Sequence, residues 1–98
     1  MRVISYQAIN TFCLEHPEAT EVMNAWYRIT KRANWAHFAE VKATFNSADV
    51  YQDNIIIFDI GGNKFRLVAA IHYNTSKIYI REVLTHGEYE KGKWKKSL

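Results

Sequence analysis

The sequence contains few of the features that hold together secreted proteins or anchor membrane proteins. Its 98 residues include a single cysteine, Cys13, so no disulfide can form within the chain. No apolar run approaches the roughly 18 residues that a membrane-spanning helix needs. No apolar stretch follows a basic start, as it would in a secretory signal peptide. These absences predict a protein of the reducing cytoplasm with no membrane partner.

Residues that interrupt regular structure are also scarce. The chain has one proline and four glycines, while 48% of its residues are hydrophobic and 14% are aromatic. This composition is typical of a folded chain rather than a disordered one. The length fits one small domain, so we expect a single domain over residues 1–98.

Charge is distributed unevenly along the chain. Residues 1–62 carry five Lys or Arg against seven Asp or Glu, which gives a net charge of −2. Residues 63–98 carry eight Lys or Arg against three acids, which gives +5. A basic half predicts an anionic partner. For the four lysines near the C terminus, the alternative is that they only keep the surface soluble.

The first half of the chain has helical periodicity. Ser5 is a suitable N-cap for a first helix, whose apolar face is formed by Ala8, Ile9, Phe12 and Cys13. Pro17 suits the first turn of a second helix, which has Trp26 on its apolar face and cations in its last turns. A short third helix is predicted within residues 33–45, and "NSAD" at 46–49 is interpreted as a loop.

From Ile55 onward the pattern changes to that of strands. "IIIFDI" is typical of a central strand, "GGN" of a tight hairpin turn, and "KFRLVAAIHY" and "IYIREVLTH" of two further strands. "MRVIS" predicts a short first strand. We therefore predict an α+β fold, in which an N-terminal helical hairpin packs on a C-terminal antiparallel meander of at least three strands. The opposite sheet face is expected to be partly open.

The predicted meander brings cationic and proton-carrying side chains to one end of the sheet. A turn centred near residue 75 pairs Arg66 with residue 84, and Arg81 with residue 69. The start of the strand that carries Arg66 then lies beside the segment that follows the last strand. The residues expected to gather there are Lys64, Arg66, His86, Tyr89 and Lys91, with Arg81 further along the sheet.

These residue types suit chemistry on a phosphodiester. Arginine and lysine bind phosphate and stabilise charge that develops on its oxygens. A histidine exchanges protons near neutral pH, and a tyrosine can donate a proton or stack on a base. Ordinary structural roles remain open for each of them. The arginines can pair with Asp59, Glu82 or Glu88, His86 can cap a strand end, and Tyr89 can pack at the rim.

Other motifs are weak. The histidines have no zinc-ligand spacing, and "GGN" is too short for a phosphate-cradling loop, so no metal or other cofactor is expected. Cys13 is expected to be buried and inert, and Trp26 to lie in the core. Trp35 and Trp94 are the aromatics expected to be exposed and available to RNA or protein. On composition alone, we expect an RNA-binding function ahead of a catalytic one.

Two segments, "GGNKFRL" and "IREVLTHGEY", resemble the HigB family of type II toxins, which belongs to the RelE-like messenger-RNA interferases. The similarity extends from about Phe12 to Trp94. It implies a RelE-like fold and a toxin that cuts mRNA on the translating ribosome. The implied reaction is a metal-independent attack of the 2′-hydroxyl on the phosphodiester. The implied partner is a HigA-type helix-turn-helix antitoxin encoded beside the toxin.

The resemblance also implies roles for particular residues. Arg66 would stabilise the phosphate with support from Lys64 or Arg81, and His86 and Tyr89 would transfer protons. The candidate RNA-binding residues are Asn63, Lys91, Lys93, Trp94 and Lys95. Gly87 and Glu90 replace the alanine and aspartate of the family pattern, which removes neither a charge nor a proton carrier. The alternatives are a non-catalytic RNA- or ribosome-binding module and a protein-interaction domain.

Overall fold

The computed structural model describes all residues, 1–98, and has the predicted α+β architecture. The helices are α1 (Gln7–Glu15), α2 (Thr20–Arg32), α3 (Phe38–Thr44) and α4 (His86–Lys91). The strands are β1 (Arg2–Ile4), β2 (Asp49–Gln52), β3 (Ile55–Ile60), β4 (Phe65–His72) and β5 (Lys77–Thr85). Short 3₁₀ segments lie at Pro17–Ala19, Tyr73–Thr75 and Lys93–Ser97. None of the helices is long and apolar enough to cross a bilayer.

The five strands form one sheet in the order β1-β5-β4-β3-β2. Strands β2 to β5 form an antiparallel meander, and β1 adds to β5 in parallel. The predicted first strand is confirmed, but β2 was not predicted, and the loop expected at 46–49 ends where β2 begins at Asp49. All four residues of β2 are exposed. An edge strand without a buried face leaves no alternating apolar pattern in the sequence.

The first three helices cover one face of the sheet. Their apolar sides and the sheet enclose a core of 18 buried residues, in which Trp26 is 2% exposed, as predicted. The expectation that Trp35 is exposed was wrong, since only 4% of it is accessible. Its ring packs against Phe45 and Phe58, with centroids 6.0 and 6.5 Å away.

The opposite face of the sheet is covered as well, contrary to the prediction that it is partly open. The C-terminal segment after β5 folds back over it and buries Trp94, which is 3% exposed and therefore not the exposed aromatic that was expected. Trp94 forms a second core cluster with Ile55, Ile57, Val68 and Ala70. Strands buried on both faces are apolar at nearly every position, which explains the composition of β3 and β4.

Two local predictions in the N-terminal segment were also wrong. Ser5 is not the N-cap of α1, because the helix begins at Gln7 and Ser5 has a left-handed backbone with φ of 74°. Its carbonyl oxygen, rather than its hydroxyl, accepts a hydrogen bond from the Ala8 amide. Cys13 is half-buried at the edge of the core instead of fully buried.

The predicted tight turn between β3 and β4 is confirmed. Gly61, Gly62 and Asn63 have φ values of 69°, 62° and 81°, a left-handed run that glycine and asparagine tolerate best. A Cβ on Gly61 would lie 3.2 Å from the ring of Phe65. The turn therefore favours residues that tolerate a left-handed backbone, and it leads directly into Lys64 and the start of β4.

The register of β4 and β5 matches the prediction at the end near this turn. Arg66 lies opposite Leu84, as expected. A β-bulge then shifts the pairing between Val68 and Ala69. Because a bulge adds one residue to a strand, Arg81 has no directly opposite partner and does not face Ala69, and that part of the predicted register was wrong by one residue.

Tyr73 provides a test of the packing at the other end of the hairpin. Its hydroxyl is buried without a hydrogen-bond partner, and burial raises the pKa of the phenol above its ordinary 10.0. Because its pKa is raised, the Tyr73 phenol keeps its proton to higher pH in the folded protein than in the unfolded chain. Ionisation of the unfolded chain therefore lowers the free energy of unfolding as the pH rises above 10.0.

We expect Tyr73→Phe to unfold at equal or higher denaturant concentration than the wild type at neutral pH, since it removes an unpaired buried hydroxyl. Its advantage should grow above pH 10, which denaturant titrations at both pH values would measure. An advantage that shrinks at alkaline pH would contradict the assignment.

Candidate active site

The segment after β5 forms a short helix, α4, that the sequence did not predict. Its first turn is closed by a capping box. The Thr85 hydroxyl accepts a hydrogen bond from the Glu88 amide at 3.2 Å, and the Glu88 carboxylate accepts one from the Thr85 amide at 2.9 Å. Gly92 ends the helix with a left-handed backbone, φ 74°. Thr85 and Glu88 of the segment "IREVLTHGEY" therefore have a structural role, in which they orient the residues between and after them.

His86 begins α4 and is joined to the start of β4. Its amide donates to the Lys64 carbonyl at 2.9 Å. Its Nε2 lies 3.3 Å from the Glu90 carboxylate, one helical turn later, and its Nδ1 is buried without a partner. Since 42% of the side chain is accessible, any proton exchange between this imidazole and a bound molecule would pass through Nε2.

Arg66 lies on the sheet face that the C-terminal segment covers, and it is 9% exposed. One nitrogen, Nη1, donates to the Asp59 carboxylate and to the Phe65 carbonyl, both at 3.2 Å. The other, Nη2, donates to the Asn63 side chain. The structural pairing with Asp59, one of the interpretations left open, is therefore present.

Tyr89 packs between Arg66 and Trp94. The guanidinium carbon of Arg66 lies 5.0 Å from its ring centroid, a distance at which cations and aromatic rings attract. The Trp94 ring stacks against it almost in parallel, with centroids 5.3 Å apart and planes 11° apart. The Trp94 indole also donates to the Tyr89 carbonyl at 3.0 Å. The Tyr89 hydroxyl forms no hydrogen bond within the protein and is not sealed from solvent.

Most of the predicted RNA-binding residues are accessible, namely Asn63, Lys91, Lys93 and Lys95. The catalytic candidate Lys64 is exposed as well. The Lys95 ammonium lies 5.7 Å from the ring centroids of both Tyr51 and Trp94. A shallow cleft of about 300 Å³ beside the Trp94 ring is lined by Leu84, Lys91, Lys93 and two glutamates. Trp94 itself is buried, so it supports this surface rather than presenting a ring to a base.

Arg81 does not join the cluster. It is exposed in the bulge of β5, and its guanidinium donates to the Ser97 carbonyl at 2.9 Å. It lines a separate cleft of about 410 Å³ between α1 and β5, together with His16 and Glu88. Of the five catalytic candidates, the structure therefore brings together Lys64, Arg66, His86 and Tyr89.

Two carboxylates of the site received no functional role from the sequence. Glu90 faces His86 at a spacing of four residues, which would have been evident had α4 been predicted. Asp59 lies directly opposite Arg66 in the ladder between β3 and β4, which was considered only as an ordinary ion pair. No three His, Cys, Asp or Glu side chains are grouped so that they could hold a metal ion.

The cluster combines three capabilities at one end of the sheet. Lys64 and Arg66 supply positive charge, His86 and Tyr89 carry exchangeable protons, and the lysines of the C-terminal segment supply an accessible basic rim. These are the groups that bind a phosphodiester and move protons around it. They come from the β3–β4 turn, β4 and α4, which are joined by the His86 to Lys64 hydrogen bond and by the contact of Arg66 with Tyr89.

Comparison with known proteins places most of the chain in one family. Residues 19–92 match the HigB toxin family, described as the RelE-like toxic component of a toxin–antitoxin system. A protein of Escherichia coli strain K12 named mRNA interferase toxin HigB is 32% identical over 92 residues, covering 92% of this chain and 88% of that protein. A Shigella flexneri protein named mRNA interferase HigB has the same identity and coverage.

A second protein of the same name, from Escherichia coli O6:H1, is 24% identical over 93 residues, covering 93% of this chain and 90% of that protein. The matched residues 19–92 thus include the β3–β4 turn, β4 and α4, which together form the cluster described above. This chain belongs to the HigB family of RelE-like toxins.

Proposed function

We propose that this toxin is an endoribonuclease that cleaves messenger RNA, with its active site at the junction of the β3–β4 turn and α4. The observation that carries the proposal is the similarity, over nearly the whole chain, to proteins named mRNA interferases. The geometry supports it, since the Arg66 guanidinium lies against the Tyr89 ring and the His86 amide is hydrogen-bonded to the Lys64 carbonyl, so these four residues belong to one end of the sheet.

RNA supplies its own nucleophile for the proposed reaction. The 2′-oxygen attacks the adjacent phosphorus while a base removes its proton. The bond to the 5′-oxygen breaks, and an acid protonates that oxygen. The products are a 2′,3′-cyclic phosphate and a free 5′-hydroxyl. The protein must align the attack, stabilise the crowded phosphorus and move two protons.

Lys64 and Arg66 are the proposed sources of charge stabilisation. Lys64 is exposed at the end of the turn, where its ammonium can reach a phosphate oxygen. Arg66 has five N–H groups, and three hydrogen bonds within the protein leave two without an acceptor. Arg81 lies apart from these residues, so its proposed role is to bind RNA beyond the scissile phosphate.

His86 and Tyr89 are the proposed proton carriers. The Nε2 of His86 and the unpaired hydroxyl of Tyr89 both belong to α4, and neither atom is sealed from solvent. Either group can act as acid or base, and the geometry of the free protein favours neither.

We further propose that the substrate is mRNA on the ribosome in the cytoplasm, and that a helix-turn-helix antitoxin silences the toxin.

Substitution of the proton carriers tests the assignment. We expect His86→Ala and Tyr89→Phe each to slow cleavage by about 100-fold or more, the usual effect of losing a general acid or base. The measurement is single-turnover cleavage of a defined mRNA on programmed ribosomes, with the 5′ ends mapped. Lys64→Ala should also slow cleavage, because the variant lacks a charge that stabilises the phosphorane.

Lys77→Ala is the matched control for Lys64→Ala. Lys77 pairs with His72 at the opposite end of the β4–β5 hairpin, and its variant should cleave like the wild type. Equal rates in the wild type, His86→Ala and Tyr89→Phe would remove these residues from the site. Ribosome binding without any cleavage by the wild type would favour the alternative of a non-catalytic module.

The basic rim is tested by the salt dependence of binding. We expect Lys91→Ala, Lys93→Ala and Lys95→Ala, combined in one variant, to weaken binding to a non-cleavable single-stranded RNA. The slope of log affinity against log salt should become shallower by about 0.7 for each phosphate that the variant no longer neutralises. An unchanged slope would mean that these lysines only keep the surface soluble.

A further inference from the structure

Arg66 occupies an unusual position for a cation. It lies on a sheet face whose other buried residues, such as Ile57, Val68 and Ala70, are apolar. A cation buried there is costly unless acceptors satisfy it, and an arginine side chain would normally extend its head into water. The acceptors are Asp59, the Phe65 carbonyl and Asn63. Three hydrogen bonds to these acceptors therefore compensate the burial of the guanidinium.

Asp59 is the acceptor that carries charge. It is the direct cross-strand neighbour of Arg66, so the ladder between β3 and β4 sets their spacing. Side-chain accessibility is 11% for Arg66 and 27% for Asp59, which leaves the pair poorly screened by solvent. Removal of one partner from such a pair leaves an uncompensated charge.

The guanidinium that Asp59 holds is in contact with Tyr89. Tyr89 belongs to a helix of only six residues, too short to be stable by itself. The orientation of its ring therefore depends on what it touches, namely Arg66 and Trp94. Trp94 fixes the ring from the core side, and Arg66 links it to the β3–β4 turn.

We propose that Asp59 is a positioning residue of the active site, which holds the Arg66 guanidinium against the Tyr89 ring and so fixes the orientation of the Tyr89 hydroxyl. Asn63 assists from the turn through its hydrogen bond to Nη2. The inference rests on the proposed role of Tyr89 in cleavage. Asp59 itself does not touch the RNA.

Cleavage rates in two backgrounds test whether Asp59 acts through Tyr89. We expect Asp59→Asn to lower the maximal rate on programmed ribosomes by about tenfold, with the half-saturating toxin concentration unchanged. In a Tyr89→Phe background the same substitution should change the rate by less than about twofold, since coupled residues are not additive. Asp53→Asn is the matched control, because Asp53 is exposed in the β2–β3 turn and asparagine accepts its φ of 45°.

If the wild type cleaves RNA, equal rates for Asp59→Asn and the wild type would overturn the proposal, as would an equal fold-reduction in both backgrounds. Should Asp59→Asn fail to fold by circular dichroism, Asn63→Gly takes its place. Asn63 is exposed and glycine adopts its φ of 81°, so this variant removes one acceptor of Arg66 without strain. It should show the same dependence on Tyr89 with a smaller reduction in rate, and a reduction independent of Tyr89 would count against the proposal.

The aromatic NMR spectrum separates this inference from the proposed function. In folded Asp59→Asn, or in Asn63→Gly if it is the substitute, the Tyr89 ring resonances should shift, while those of Asp53→Asn should match the wild type. Shifted resonances in a protein that cuts no RNA would refute the proposed function and leave the positioning role supported. Unshifted resonances would refute the positioning role, whatever the cleavage rates.

Discussion

The structure depends on one constraint, that its central strands must be covered on both faces. β3 and β4 are buried at almost every position, and three helices cover only one side. The other side is closed by the chain after β5, which returns across the sheet and buries Trp94. Burial of an aromatic side chain of this size contributes on the order of 2–3 kcal/mol. The same packing places α4, and with it His86 and Tyr89, beside the β3–β4 turn.

Arg66 is the buried charged residue on the sheet face that carries the core cluster around Trp94. Arg66 is satisfied by Asp59, Asn63 and a backbone carbonyl, and its guanidinium also meets the Tyr89 ring. The pair with Asp59 is weak support for stability as such, because desolvation offsets the attraction between the charges. Its value lies in geometry, since the strand ladder, the turn and the helix all meet at one guanidinium.

The family signature divides into residues with different tasks. Gly61, Gly62 and Asn63 make the left-handed turn, and Thr85 and Glu88 close the first turn of α4. Lys64, Arg66, His86 and Tyr89 carry the charge and the protons. A misplaced turn or an uncapped helix would separate the groups that we propose to act on one phosphodiester, so residues of both kinds are needed in fixed spacing. Some residues of the signature thus shape the turn and the helix, and others carry the side chains that could react.

The sequence by itself determined the elements whose burial produces a periodic pattern, namely α1, α2, α3, β3, β4 and β5, the tight turn, and the pairing of Arg66 with Leu84. It also identified four residues that the structure brings together. It could not predict β2, whose exposed residues have no pattern, or α4, which is held by a capping box and by packing. Only the tertiary structure decided that Trp35 and Trp94 are buried, that Arg81 lies apart and that Asp59 holds Arg66. These outcomes depend on contacts between segments distant in the chain, and local periodicity carries no information about such contacts.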